Sequence, residues 1–315
     1  MKHRITLALR WSVAIALVAI IALRFDLASV AARIASASPL LVVLAVAGLV
    51  AIHLVAATAW RRLLETFAGL RTAWQSSVRL YYAAQAIGSV TPGNLGADVY
   101  RIAAVDASTS RRAAAAAILL QRLTSTAALG VLGAIGAVVL GSGNVIGLAA
   151  LVAVALAALL GVTIAVAVIA VSARRKLRNR FANMRRWLGR AQVIALARDG
   201  FGLGLVFHAV SIALGWVVIL AVDPATASHA AQVLAILAIA RLAVVVPITP
   251  AGIGVQEAAV GALFAQAGLD PQVALAAIVL NRLALLVVVV LGSLAIAADG
   301  PVRPARKAST IATRP

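Results

Sequence analysis

The chain of 315 residues is 63% hydrophobic and has a mean hydropathy of +1.06. Soluble domains are about 45–50% apolar, so this composition excludes an ordinary soluble fold and requires lipid to cover much of the surface. The formal charge of +19 does not indicate a nucleic-acid partner, because the basic residues fall between apolar segments, as they do in the loops of membrane proteins.

Six apolar segments are long enough to cross a bilayer, since a spanning helix needs about 20 mostly apolar residues. In chain order they are 7–23, 40–60, 113–140, 145–171, 201–222 and 272–298. The first follows a basic start, as a signal peptide would, but Arg24-Phe25-Asp26 stands where a small-residue cleavage site is needed. We therefore predict that this first span is not cleaved.

The basic residues predict the orientation, because cytoplasmic loops carry an excess of lysine and arginine. Most of them lie in five segments: the N-terminus, 61–79, 101–112, 174–198 and the tail after Gly300. We predict that all five segments, and hence both termini, are cytoplasmic. Within 174–198, four apolar residues recur at helical spacing among arginines, namely Leu177, Phe181, Met184 and Leu188. This pattern is typical either of a helix lying on an anionic membrane surface or of a basic loop that only sets topology.

Two further apolar regions, 79–105 and 230–267, are interrupted by proline and glycine. The first has cytoplasmic charge at both ends, and the second lies between two nearly uncharged turns on the opposite side. Each must therefore enter the membrane and return. We predict an all-α polytopic membrane protein with six full spans and two re-entrant, broken hairpins, forming one domain over 1–300 and followed by a disordered, basic cytoplasmic tail over 301–315.

The two broken regions share one pattern. The first contains Thr91-Pro92-Gly93-Asn94-Leu95-Gly96 and the second Thr249-Pro250-Ala251-Gly252-Ile253-Gly254. An acid follows each, Asp98 and Glu257, and then an arginine preceded by an amide side chain, Arg122 and Arg282. We interpret the match as an internal duplication, with Pro92 and Pro250 as helix breaks. Since the first hairpin opens from inside and the second from outside, the two copies are predicted to be inverted.

Inverted repeats with broken helices near the midplane are typical of transporters, in which the breaks mark the binding site. Proline and glycine leave backbone polar groups that hydrocarbon cannot satisfy, so such breaks line a cavity or are buried in protein. The helix N-terminus after each break would present N–H groups and a positive dipole end to a phosphate. The predicted lining residues near the breaks are Thr91, Asn94, Gly96, Thr249, Gly252 and Gly254.

Arg122 and Arg282 lie deep in their spans, where a charge costs at least about 2.5–3.5 kcal/mol. Each should therefore face a partner, and Asp98 and Glu257 are the natural candidates. Two interpretations stay open: the pairs only lock the hairpins in place, or the arginines bind a lipid phosphate. Both can hold, since pairing one side of a guanidinium leaves other donors. Arg241 is expected to reach toward the interface or to pair with Glu257.

At these residues the chain resembles the lysylphosphatidylglycerol synthase transmembrane, or flippase-like, family. Ala59-Trp60-Arg61-Arg62-Leu63-Leu64 is similar to the family's Arg-Trp-x-x-Leu-Leu. The run from Pro92 to Arg101 is similar to Pro-Gly-x-x-Gly-Gly-Asp-x-x-Arg, with Ala97 in place of the second of the paired glycines. Gln121-Arg122-Leu123 is similar to Asp-Arg-Leu, with glutamine in place of aspartate. The run from Pro250 to Glu257 is similar to Pro-Gly-Gly-x-Gly-x-x-Glu, with Ala251 in place of the first glycine.

The resemblance implies a multi-pass protein of the bacterial or archaeal inner membrane, related to the part of the synthase that flips the aminoacylated lipid. Because only residues 301–315 follow the last predicted span, we expect no synthase activity. We predict a protein that binds or translocates a phospholipid or lipid-linked molecule, with membrane lipids of anionic head group as partners. The alternative is a non-transporting scaffold for a lipid or envelope biosynthetic enzyme; a membrane-embedded transferase would want more acids or histidines near one interface.

The sequence contains no cysteine, which excludes disulfides and thiolate metal sites. The four histidines form no cluster with the spacing of metal ligands, and there is no nucleotide-binding loop or catalytic dyad. We therefore predict no metal, no cofactor and no enzymatic activity. His53 and His208 lie in apolar spans and are interpreted as polar residues of helix packing rather than as proton carriers.

Overall fold

The computed structural model describes residues 26–91, 94–104, 111–141, 190–245, 249 and 252–299, together with Ala19 and Leu23. Several predictions therefore lie outside the described residues: the span 145–171, nearly all of the span 7–23, the apolar pattern over 177–188, the tail 301–315, and the proline breaks Pro92 and Pro250.

The regular elements in the described ranges are all helical. They are α1 (Leu27–Ala35), α2 (Pro39–Ala68), α3 (Trp74–Ser89), α4 (Leu95–Ala104), α5 (Arg111–Val139), α6 (Arg190–Ala195), a π-helical turn (Leu196–Gly202), α7 (Leu203–Val222), a 3₁₀ turn (Pro224–His229), α8 (Ala230–Ala243), α9 (Val255–Gln266) and α10 (Pro271–Asp299).

Five of the described segments are long and apolar enough to cross a membrane. They are Pro39–Phe67, Ala114–Val139, Ala191–Val222, Pro224–Ala243 and Pro271–Ala298. Four of them contain or closely match the predicted spans 40–60, 113–140, 201–222 and 272–298. The fifth differs from the prediction, which counted α8 only as one arm of a hairpin. The 3₁₀ turn before α8 lengthens this arm to 20 residues, so it reaches the length of a span.

Exposed apolar side chains lie along the long helices at helical spacing. Leu40, Val43 and Leu44 are exposed on α2, and Val131, Ile135 and Val138 are exposed on α5. On α10 the exposed stripe consists of Leu283, Leu286, Val287, Val290, Leu291 and Leu294. Such apolar stripes cannot be left in water over several turns, so these faces are the ones that lipid covers.

The helix ends follow local sequence signals. Pro39 occupies the first turn of α2, where its missing N–H costs nothing, and Asp26 caps α1 by accepting a hydrogen bond from the Ala28 N–H at 3.0 Å. At the other end of α2, Gly69 adopts a left-handed conformation with φ of 67° and donates its N–H to the Glu65 carbonyl.

Both Pro- and Gly-interrupted regions are broken helices, as predicted. Helices α3 and α4 are separated by residues 90–94, and α8 and α9 by residues 244–254; in each case the two halves pack against each other. The first half of each pair also packs against the long helix that follows the other pair, α3 on α10 and α8 on α5. The second half packs on its own following helix, α4 on α5 and α9 on α10.

Glycine permits the closest of these crossings. A Cβ atom at Gly292 would lie 2.1 Å from the carbonyl oxygen of Tyr82, so α10 and α3 meet backbone to backbone. A Cβ atom at Gly136 would lie 2.8 Å from the carbonyl oxygen of Ala235, so α5 and α8 meet in the same manner. Small residues at such contacts let membrane helices approach closely. The resulting van der Waals packing stabilises the helix pair, because lipid provides no hydrophobic driving force between helices.

Candidate functional site

The first break is closed by a threonine and an asparagine. The Thr91 hydroxyl donates to the Gly88 carbonyl and accepts from the Gly96 N–H, both at 2.9 Å. Asn94 takes a left-handed conformation with φ of 58° and donates from its amide to Gln85 Oε1 at 3.1 Å. Asparagine tolerates this conformation better than most residues, so position 94 does not require a glycine.

The second break has the same backbone turn with different side chains. Gly252, which lies three residues after Thr249 as Asn94 does after Thr91, has φ of 68°. The Gly252 N–H donates to the Thr249 carbonyl at 3.3 Å, and the Asn94 N–H donates to the Thr91 carbonyl at 3.2 Å. The side chain of Thr249 differs from that of Thr91, because its hydroxyl is buried and has no hydrogen-bond partner in the described structure.

Each break is joined to a deep arginine in the same way. Arg122 forms an ion pair with Asp98 and donates to the Asn94 carbonyl at 3.2 Å. Arg282 forms an ion pair with Glu257 and donates to the Gly252 carbonyl at 3.2 Å. The expected acid partners are therefore observed. Each arginine also donates to the carbonyl of the residue with the left-handed backbone, and that carbonyl accepts a backbone N–H as well, from Ala97 at Asn94 and from Gln256 at Gly252.

The acids are the buried members of these pairs. The side chains of Asp98 and Glu257 are 11% and 9% exposed, whereas those of Arg122 and Arg282 are 40% and 26% exposed. Glu257 also accepts the Gly254 N–H at 2.8 Å and so caps α9. A buried carboxylate holding a partly accessible guanidinium places a positive group at the surface of each break.

Arg101 is a site residue that the sequence analysis counted only among the basic residues of the segment 101–112. It lies in the last turn of α4 and is only 5% exposed. It shares Asp98 with Arg122, donates to Gln121 Oε1 at 3.3 Å, and lies over the rings of Trp60 and Tyr81 at 5.6 and 5.4 Å. The three-residue spacing from Asp98 was the available signal, since residues at that spacing are neighbours on a helix.

Gln121, which stands where the family pattern has aspartate, contacts Arg101. It accepts from Arg101 and donates to the Ala56 carbonyl at 3.2 Å, and so connects α5 to α2. As a neutral residue it leaves Asp98 as the one carboxylate that the structure pairs with both Arg101 and Arg122. The first break thus carries one more positive than negative charge among these three residues.

Arg241 does not pair with Glu257. It lies in the last turn of α8 and donates to the Ser211 carbonyl on α7 at 2.9 Å. The Glu257 carboxylate instead accepts from Arg282 and from the Gly254 N–H. The two histidines of the spans form hydrogen bonds within the helices: His53 Nδ1 lies 2.6 Å from the Leu49 carbonyl, and His208 Nε2 lies 3.0 Å from Ser125 Oγ.

A buried aspartate in the π-helical turn was missed by the sequence analysis. The side chain of Asp199 is fully buried and contacts Arg62 at 3.1 Å and Arg198 at 2.8 Å, while those arginines are 46% and 65% exposed. Gly200 beside it packs against Thr124, where a Cβ atom would lie 2.4 Å from the hydroxyl oxygen. Since Arg62 is 137 residues away in the chain, no local pattern predicted this cluster.

The two breaks and the two acid–arginine pairs all lie in a region of the chain that matches a known protein family. Residues 7–292 match the family model described as the lysylphosphatidylglycerol synthase TM region, which includes both breaks and both acid–arginine pairs. No curated protein and no solved structure matches the chain.

Proposed function

Because this chain belongs to the lysylphosphatidylglycerol synthase TM family, we propose that it binds a phospholipid or lipid-linked molecule and translocates it across the bacterial inner membrane. In this proposal both termini are cytoplasmic, the two broken helix pairs are inverted copies of one unit, and the head group is anionic. The protein acts on lipid as a carrier and carries out no chemical reaction on it.

The equivalent attachment of two arginines to two helix breaks is the observation that carries the proposal. In each copy an arginine pairs with a buried acid and donates to the carbonyl of the residue with a left-handed backbone, Asn94 or Gly252. Irregular backbone inside a membrane is tolerated only where it is buried in protein or lines a cavity. A guanidinium held at such a break, and itself partly exposed, is suited to bind a phosphate through its planar set of donors.

The packing of the broken pairs supports the inverted repeat. The first arm of each pair contacts the long helix of the other copy, and glycine lies at both crossings. Two such interleaved copies can rock against each other about a central site, as in transporters built from inverted repeats. The excess positive charge of Arg101 and Arg122 over Asp98 supports an anionic rather than a zwitterionic head group.

A scaffold that organises a biosynthetic enzyme is the second candidate. The observation that favours it is that Arg122 and Arg282 already have carboxylate partners, which is sufficient to fix the hairpins. A scaffold needs the two acid–arginine pairs only to stabilise its fold, whereas a translocator also needs the arginines to bind the lipid head group.

Lipid movement in reconstituted vesicles tests the proposal. The purified chain is inserted into vesicles containing fluorescent phosphatidylglycerol, and the fraction of label that moves between leaflets is measured by external quenching. Arg122→Lys and Arg282→Lys keep the charge but lose the planar fork, so we expect folded variants with slower lipid movement. Arg33→Lys is the matched control, because Arg33 forms an exposed ion pair with Asp270 away from the breaks.

Normal lipid movement in a folded Arg122→Gln, Arg282→Gln double variant would reject the role of these arginines in head-group binding. A wild-type protein that moves no label with any lipid, yet copurifies with an enzyme of lipid synthesis, would favour the scaffold.

A further inference from the structure

Arg241 differs from the other arginines within the apolar helices because it has no carboxylate partner in the part of the chain that the structure describes. Arg101 and Arg122 share Asp98, and Arg282 has Glu257. Arg241 lies in the apolar segment Pro224–Ala243 and donates to a neutral group, the Ser211 carbonyl, at 2.9 Å.

The helix that Arg241 contacts carries a histidine close to the Ser211 carbonyl. His208 lies three residues before Ser211, so both lie on one face of α7. His53 on α2 lies beside this face, with its ring 5.7 Å from that of Phe207, and both histidines lie within electrostatic range of Arg241. We call Arg241, His208, Ser211 and His53 the Arg241 cluster.

His208 supplies a second observation that points to a ligand. Its Nε2 lies 3.0 Å from Ser125 Oγ, and its Nδ1 is buried and has no hydrogen-bond partner among the residues that the structure describes. When the serine donates to Nε2, the neutral imidazole carries its proton on Nδ1 and has a donor to offer. His208 lies one turn before Ser211, whose carbonyl Arg241 contacts. Because buried polar atoms normally have partners, this donor and the nearby cation without a carboxylate together indicate a missing acceptor.

We propose that the Arg241 cluster is an intramembrane anion site that takes a phosphate group, carried either by a lipid head group or by free phosphate. A cation in a spanning helix is costly unless an anion or water compensates it, and the cluster contains no acid. The C-terminal end of α8 offers only a partial negative charge to Arg241. A phosphate supplies a full charge and accepts two parallel bonds from the guanidinium.

This site consists of residues other than the two break arginines and does not depend on lipid translocation, since a scaffold that binds lipid would use it equally. The lipid movement assay with Arg122 and Arg282 variants tests the proposed function, whereas the Arg241 cluster is tested by equilibrium stability. Either can fail while the other holds.

The experiment compares thermal unfolding of the full chain in uncharged detergent, with and without added lipid. Phosphatidylglycerol should raise the Tm of the wild type more than the same amount of phosphatidylcholine does. Arg241→Gln should raise the Tm without lipid, because it removes an uncompensated charge, and should reduce the extra rise that phosphatidylglycerol causes. Arg33→Gln, which removes the same charge from an exposed pair, should keep that extra rise. Inorganic phosphate at constant ionic strength identifies the source: an equal rise indicates free phosphate, and none indicates the lipid.

The proposal is overturned if Arg241→Gln keeps the full extra rise with phosphatidylglycerol or phosphate, or if the wild type shows none with either. Should Arg241→Gln fail to fold, Arg241→Lys decides. A reduced extra rise supports the site, because lysine lacks the planar fork, and an unchanged one rejects it.

Discussion

Removing Arg282 should destabilise the protein far more than removing a surface arginine. In Arg282→Gln, the carboxylate of Glu257 keeps the Gly254 N–H as its hydrogen-bond donor but loses its ion-pair partner. Breaking a buried ion pair from one side costs about 3–5 kcal/mol. Since the Arg282 side chain is 26% exposed, water can reach part of the site, and we expect a loss of about 2–4 kcal/mol.

Arg33→Gln is the matched control for this prediction. Arg33 and Asp270 form an ion pair of 2.6 Å whose side chains are 33% and 42% exposed. Exposed pairs contribute about 0.2–1 kcal/mol, so this variant should unfold almost as the wild type does. The free energy of unfolding is measured in mixed micelles by titration with a denaturing detergent, monitored by circular dichroism.

The double variant Glu257→Gln, Arg282→Gln, compared with the two single variants, measures the interaction between these two side chains. Once both charges are gone, no buried carboxylate remains unpaired, so the double variant should be more stable than the sum of the two single losses predicts. If Arg282→Gln costs no more than Arg33→Gln, or if the two single losses simply add, the reasoning that this pair fixes the second break is wrong.

Three further changes test the fold. Gly252→Ala should cost about 1–2 kcal/mol because a non-glycine residue is strained at a left-handed position, and its Cβ would also lie 2.7 Å from Val244 Cγ1; Asn94→Gly, which suits the same conformation, should cost less in the same unfolding titration. Asp199→Asn should leave Arg62 and Arg198 without their buried carboxylate, and hydrogen exchange should then quicken in Leu196–Gly202 while α10 keeps its protection; unchanged exchange there would contradict the role given to Asp199. Gly292→Ala should lower the Tm strongly, because its Cβ would meet the Tyr82 carbonyl, whereas Ser293→Ala on the exposed face should not. Reporter fusions at residues 226 and 269 should lie on the side opposite the termini, and a cytoplasmic signal at 226 would refute the re-entrant second pair.

The length of the spans and the places of the breaks could be predicted from the sequence because both depend on local properties. A run of apolar residues forms a spanning helix wherever it is long enough for the hydrocarbon, as in α2 and α10. Proline, glycine and asparagine end helices through their own backbone preferences, so the breaks at 90–94 and 244–254 follow from the residues at hand. The acid–arginine pairs were also predictable, since a deep charge needs a partner and the repeated pattern supplies one acid for each arginine.

Partners that come from other helices could not be predicted in this way. Arg101 looked like one more basic loop residue, and only the packing of α4 against α3 and α5 buries it beside Trp60, Tyr81 and Gln121. Asp199 meets Arg62 because α2 passes the π-helical turn, and Arg241 meets the Ser211 carbonyl and not Glu257 because α8 ends against α7. An apolar stripe shows that one face of a helix is covered by lipid or protein. It does not show which helix is the neighbour, because the hydrophobic effect does not distinguish one apolar face from another. Close packing at positions such as Gly136 and Gly292 determines which helices touch. The contacts between helices in turn determine which charges are paired, so the pairing is seen only in the tertiary structure.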